Sequence, residues 1–326
     1  MASVLCSIST RGRSHTTLPM VLMAVAAQTR KVDKLVIFDD NDNPVDLRSD
    51  PIYSAIFSVL TTKDIKWEWL YAGKKGQHHN HQIANWMGFD WVWRVDDDSI
   101  PEPNVLENLC KHIADNVGAI GGSVLTYGIK PSEQPSTGKI ENIDVEPNIQ
   151  WSRIDEVKEV EHLHCTFLYR AGVVDYNTGL SRVAHREETL FTFALFRMGY
   201  KILVVPDAAT WHFKAPTGGI RTEASQDMFE RDEKIFRNFL DHKDHTIVVL
   251  NNGKGDHVVF SHVLRDIKNP IVFGCYPDIV PCRSIAEAHH LFGDLEAYNI
   301  YGMTHSQMRI AMIMTRQPLT LIGVIN

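Results

Sequence analysis

Short apolar runs alternate along the chain between two kinds: β-branched stretches that fit strands, and spaced apolar positions that fit one face of a helix. Ser3 to Ser9 predicts a first strand, Leu18 to Gln28 a helix, Lys34 to Phe38 a second strand, Ile52 to Leu60 a helix and Ile65 to Tyr71 a third strand. A helix from about Asn80 to Met87, a buried strand from Phe89 to Val95, a helix from Asn104 to Asn116 and a strand from Val117 to Leu125 continue the series. Residues 127–158 then form a long excursion rich in Pro, Gly, Ser and Asn, of a length that marks functional or mobile loops. Strands at Val160 to Tyr169, Tyr200 to Val205 and Ala208 to Phe213, and helices at Arg186 to Met198 and Glu223 to Leu240, complete this part. Such alternation predicts an α/β domain, a Rossmann-like mixed sheet flanked by helices, with ligands beyond the carboxyl ends of the strands. Thr10, Arg11, Asp39 and Asp98 then converge on one crevice.

After Asp241 to Asp244 the pattern restarts with a strand at Thr246 to Leu250, a Gly-rich turn at Asn251 to Gly255, a helix from Asp256 to Ile267 and a strand at Ile271 to Gly274. We therefore expect two units, a main domain over 1–243 and a small C-terminal α/β appendage over 244–326. The 326 residues suffice for both, and 44% hydrophobic with 22% charged residues is the make-up of an ordinary globular protein. A net charge of -7 gives no general electrostatic footprint for nucleic acid, although it leaves room for a local basic groove. Five scattered cysteines without CxxC spacing point to a reduced, cytoplasmic protein. The longest apolar run, Leu18 to Ala27, is too short to span a bilayer. Arg11 and Arg13 before it would also suit a signal-peptide core, but the strand-helix order favours an internal helix.

The chemistry concentrates where the Phe89 to Val95 strand ends in Asp96, Asp97 and Asp98. In extended backbone alternate side chains share a face, so Asp96 and Asp98 point one way and Asp97 the other. Paired carboxylates suit a hard divalent cation that also holds substrate phosphates. The competing reading is a helix cap, with Asp98 or Ser99 as N-cap and Pro101 in the first turn. The loop Gly73 to His81 would hold phosphates through Lys75 and backbone N–H groups, or be a solvated turn. His78, His79 and His81 lack the spacing and the cysteines of a zinc site. Neither a dinucleotide fingerprint nor a P-loop is present.

In order along the first 240 or so residues, V-L-C-S-I-S-T-R, Gln28-Thr29, V-I-F-D-D-N-D, G-Q-H-H-N, V-D-D-D-S-I-P-E-P, Arg186-Glu187-Glu188 and M-G-Y-K-I-L-V-V-P-D-A-A-T-W-H resemble the motifs of glycosyltransferase family 2. That resemblance implies a GT-A fold and an inverting transfer of a sugar from a nucleoside-diphosphate sugar, UDP-linked by preference, to an acceptor hydroxyl. It implies that Asp98, Asp96 and His212 hold Mn2+ or Mg2+. Thr10, Arg11, Asp39, Asp40, Lys75, Asn80, Asp96 and Asp97 would bind the nucleotide sugar. Glu188 would be the general base, with Glu187 as the alternative, because the family more often has Asp at the position of Glu188. Lys214 to Arg221 has the composition of a lid. The acceptor stays open among glycan, lipid carrier, protein and a hydroxylated base in nucleic acid. A nucleotidyltransferase of related fold and a non-catalytic carbohydrate-binding relative are the alternatives. The last 80 residues lie outside the resemblance, apart from a faint likeness of N-G-K-G-D-H-V-V-F to heptosyltransferase-type, GT-B proteins.

Overall fold

A computed structural model describes residues 2–73, 75–128, 136–241, 246–250, 254–266, 270–292, 299–301 and 309–314. The chain opens with β1 (Val4–Thr10), α1 (Leu18–Ala26), β2 (Lys34–Asp39), α2 (Pro51–Thr62), β3 (Lys66–Tyr71), α3 (Gln77–Asn85) and β4 (Trp91–Arg94). There follow β5 (Ser99–Pro101), α4 (Val105–Cys110), β6 (Val117–Gly121), β7 (Val124–Thr126), β8 (Lys158–Val160) and β9 (Phe167–Arg170). Next come α5 (Glu187–Arg197), β10 (Lys201–Val204), β11 (Thr210–His212) and α6 (Gln226–Asp241). The described C-terminal elements are β12 (Thr246–Val249), α7 (Lys254–Val263), β13 (Pro270–Phe273), α8 (Ile285–Phe292), β14 (Asn299–Tyr301) and β15 (Arg309–Met314).

The main sheet has the order β3-β2-β1-β4-β9-β6-β10-β8. Its first four strands are parallel, while β9 runs antiparallel between β4 and β6. At its centre the sheet is buried on both faces, so successive residues Val4 to Ile8 of β1 are all enclosed. Val4, Cys6 and Ile8 pack on Leu18, Val21, Leu22 and Val25 of α1, and Leu5 packs among Phe167, Tyr169 and Phe191 on the other face. The stretch with signal-peptide character is thus part of the core. Among the described residues no helix is long and apolar enough to cross a membrane.

A small sheet of order β5-β11-β7 sits at the carboxyl end of the main one. The antiparallel register of β11 on β5 sets His212 opposite Ser99, directly after the three aspartates. The C-terminal strands form a separate sheet of order β13-β12-β15-β14, and α8 packs on α6. Phe273 and Ala288 share a cluster there with Ile235, Phe236 and Phe239. The expected unit boundary at 242–245, the turn residues Asn251 to Gly253, and 129–135 of the excursion lie outside the described residues.

Three expectations are corrected. The strand read as Val160 to Tyr169 is two, β8 and β9, because side chains take the intervening backbone donors: Leu163 N–H donates to Thr192 Oγ1 at 2.9 Å and His164 N–H to Gln150 Oε1 at 2.7 Å. The helix read from Asn80 starts at Gln77, so the three histidines lie on α3. The strand read as Val117 to Leu125 breaks into β6 and β7 at Gly122, where a Cβ would lie 1.8 Å from the Ala208 carbonyl oxygen. Gly122→Ala therefore forces the backbone apart and is expected to cost about 1–3 kcal/mol. Thermal unfolding checks it, at roughly 2–4 °C per kcal/mol for a domain of this size.

Candidate active site

The site grows from the carboxyl ends of β1 and β4. The Asp96 to Asp98 turn leaves β4, β11 returns alongside it, and the N-terminus of α5 closes the far side. Together they line a cavity of about 450 Å³ that includes Thr10, Arg11, Asp96, Asp98, Glu188 and His212.

The three aspartates divide at a turn, which the Ser99 N–H closes on the Asp96 carbonyl at 3.0 Å. Asp96, Asp98 and His212 each offer one ligand atom, all within 4.8 Å of one another, the one such group of three among the described residues. His212 Nε2 lies 3.3 Å from Asp98 Oδ1. Arg13 Nη2 lies 3.0 Å from Asp98 Oδ2, which also accepts the Ala215 N–H at 3.1 Å. Burial pushes the Asp98 carboxyl up, but His212 and Arg13 outweigh it and hold it below its usual range. Burial also works against a charged His212, yet Asp98 and Asp96 raise its affinity for a proton. Two carboxylates and an imidazole at this spacing could hold a divalent cation.

Asp97 also lines the cavity but is not part of that group of three. It accepts from Thr10 Oγ1 at 2.9 Å and from the Arg11 N–H at 3.3 Å, and pairs with Arg13 Nη1 at 2.5 Å. Burial raises its pKa to about 6 against the pull of Arg13. These contacts fix the loop between β1 and α1.

The glutamates differ sharply. Glu187 is fully buried, paired with Arg94 Nη1 at 2.7 Å and accepting from Gln77 Nε2 at 2.7 Å. Burial raises its pKa, Arg94 opposes and Glu188 adds to the rise. Glu188, one residue on, lines the cavity, with a carboxylate oxygen 3.7 Å from Arg94 Nη2. The same guanidinium reaches Asp96 at 3.3 Å and lies over the Phe167 ring. Arg94 thus connects the cation group to both glutamates from beneath.

Asp39, Asp40, Lys75 and Asn80 are not among the residues that line the cavity. Asp40 accepts the N–H groups of Lys75 and Gly76 at 3.0 and 3.1 Å, and so ties the entry of α3 to the end of β2. Asp39 accepts from the Asn41 amide at 2.6 Å, and Asn80 Nδ2 donates to Ser9 Oγ at 2.8 Å. Arg11 extends to the Asp40 carbonyl at 2.6 Å and to Asp42 at 2.8 Å. Of the histidines on α3, His78 and His81 are buried, and His81 Nδ1 lies 3.0 Å from Ser7 Oγ. The Lys214 to Gly219 segment covers one edge, with the Gly219 N–H donating to the Arg11 carbonyl at 2.6 Å.

The contacts of Arg94, Arg13 and Gln77 in the site were not read from the sequence. Arg94 carried a signal nonetheless: a charge inside an apolar strand, two residues before Asp96 and so on its face. Arg13 and Gln77 carried none beyond their place in polar loops.

No protein-family model matches the chain, and no curated protein matches it either. Solved structures match it by shape. A crystal structure of GalNAc-T7 with UDP, GalNAc and Mn2+ is similar over 74% of this chain and 50% of its own, at 12% identity and a TM-score of 0.53. S. aureus TarS 1-349 in complex with UDP-GlcNAc is similar over 71% of this chain and 64% of its own, at 16% identity and a TM-score of 0.49. The chain spans half to two thirds of the length of these two structures. At such identities the likeness is one of fold, and with GalNAc-T7 that fold is the GT-A α/β architecture.

Proposed function

We propose that the chain is a metal-dependent, inverting glycosyltransferase that moves a sugar from a nucleoside-diphosphate sugar, UDP-linked by preference, to an acceptor hydroxyl. One observation carries the reading: the Asp96, Asp98 and His212 group and the Glu188 carboxylate line the same 450 Å³ cavity. Asp98, Asp96 and His212 would hold the cation, which when bound supplies positive charge against the leaving diphosphate. Arg13, beside Asp97 and Asp98, adds the chain's own positive charge at that place. Thr10 and Arg11 line the donor end, while Asp39, Asp40 and Asn80 brace it from behind and Lys75 adds its backbone N–H to that brace.

Glu188 acts on the acceptor. As the acceptor oxygen bonds to the anomeric carbon and the bond from that carbon to the diphosphate oxygen breaks, Glu188 takes the acceptor proton. Glu187 is enclosed by Arg94 and Gln77, which leaves it no path to a substrate proton. In-line attack opposite the leaving group inverts the anomeric centre.

Donor hydrolysis, with water in place of the acceptor, tests the reading without knowledge of that acceptor. A panel of nucleotide sugars is expected to be hydrolysed with Mn2+ or Mg2+, to fall to background with EDTA, and to recover when metal is returned. Asp98→Asn should lower the rate at saturating metal and raise the metal concentration needed. Metal-independent hydrolysis would overturn the cation assignment. Pyrophosphate release from a nucleoside triphosphate would identify nucleotidyl transfer instead.

A further inference from the structure

A second cleft, of about 150 Å³, opens beside the catalytic cavity and is walled by the far part of the excursion. Asn142, Asn148 and Trp151 form one side, and His162, His164 and Arg186 the other. The chain passes between the two spaces at three points. His164 lines the cleft and Cys165 the cavity; Arg186 lines the cleft and Glu188 the cavity; Lys214 lines the cavity while its ammonium sits 5.9 Å over the Trp151 ring in the cleft wall. The cleft therefore lies on the side of the carboxylate that receives the acceptor proton.

Its lining has a definite chemistry. Trp151 is 45% exposed and so presents indole surface in the cleft wall. Asn148 Nδ2 and His162 Nδ1 are buried without a hydrogen-bond partner, and His162 is only 7% exposed. Asn148 Oδ1 already accepts the Gln150 N–H at 2.9 Å, so its amide donor is the unused group. Burial, with the charges of His164 and Arg186, pushes His162 down to about 3, which leaves a neutral imidazole able to donate or accept. Buried polar groups without partners are rare and costly, and point to a ligand that supplies them. A sugar ring offers an apolar face for the indole and hydroxyls for the amide and imidazole. Lys139 and Arg186 in the lining are paired with Glu141 and with Asp144 and Glu233, and Glu146 stands beside them, which disfavours a phosphate backbone.

We propose that this cleft is the acceptor subsite and takes one neutral sugar ring of a glycan or glycoside, stacked on Trp151 and hydrogen-bonded by Asn148 and His162. The proposal rests on the glycosyltransferase reading above and names its acceptor class. Saturation-transfer NMR on the full chain, without donor, tests it with the methyl glycosides of glucose, galactose and N-acetylglucosamine and with a short thymidine oligonucleotide. At least one glycoside is expected to receive saturation from the wild-type chain, about fivefold less from Trp151→Ala, and near the wild-type level from Trp151→Phe. No glycoside signal, an undiminished signal from Trp151→Ala, or a signal from the oligonucleotide alone would overturn it. UDP with saturating Mg2+ in the same wild-type sample separates the two readings. Transfer to UDP without transfer to any glycoside removes the subsite and leaves the transferase, whereas transfer to neither removes both.

Discussion

Glu188→Gln is expected to lower turnover of a nucleotide sugar by about 10²–10⁴-fold, the usual worth of a positioned general base. The amide keeps the shape of the side chain and its place in the first turn of α5, so the melting temperature should stay near that of the parent. Arg94 Nη2 lies 3.7 Å from the Glu188 carboxylate and helps to hold it in place. The control is Glu187→Gln. That side chain is enclosed, so its loss should act on stability and on the aim of Glu188 rather than remove a proton acceptor. Donor hydrolysis under saturating Mn2+, set beside thermal unfolding of both variants, checks the distinction. Full turnover in Glu188→Gln would sink the assignment of the base.

The two glutamates also show where sequence reading stopped. Adjacent residues of a helix point about 100° apart, so the Glu-Glu pair had to divide between core and cavity, but nothing in its order said which faced which. The answer came from Arg94, fixed by a strand far away in the sequence. The three aspartates were more legible, because abrupt charge at the end of an apolar strand is visible in one segment; the grouping of Asp96 with Asp98 follows from the turn that Ser99 closes on Asp96 rather than from the alternation expected of a strand. The meeting of Asp98 with His212 depends on β5 and β11, strands of three residues each, too short to leave a periodic pattern. Only the order of motifs suggested that pairing. Asp39 and Asp40 were read as facing a ligand because they end a strand at the expected edge. Asp40 instead takes two backbone N–H groups at the turn into α3, a use that the same charge and the same position also permit.

Arg94→Met is expected to be the most destabilising single change in the site. The substitution keeps much of the volume among Phe167 and its neighbours, so the packing loss is modest. What remains is Glu187, 0% exposed, with only Gln77 left beside one oxygen and its other oxygen already without a partner. Breaking a buried ion pair by removing one member costs about 3–5 kcal/mol, because the survivor is an uncompensated charge or must bind a proton. At roughly 2–4 °C per kcal/mol the melting temperature should fall by about 6–20 °C. Removing both charges is a different matter, since a buried pair replaced by groups of similar shape is often nearly neutral. Arg94→Met with Glu187→Gln should therefore recover most of the lost stability. It should not recover turnover, because Asp96 and Glu188 both lose the guanidinium that reaches them from beneath. Separate recovery of stability and activity in the double variant would show that Arg94 does two jobs, and equal recovery of both would reduce it to a structural counter-ion for Glu187.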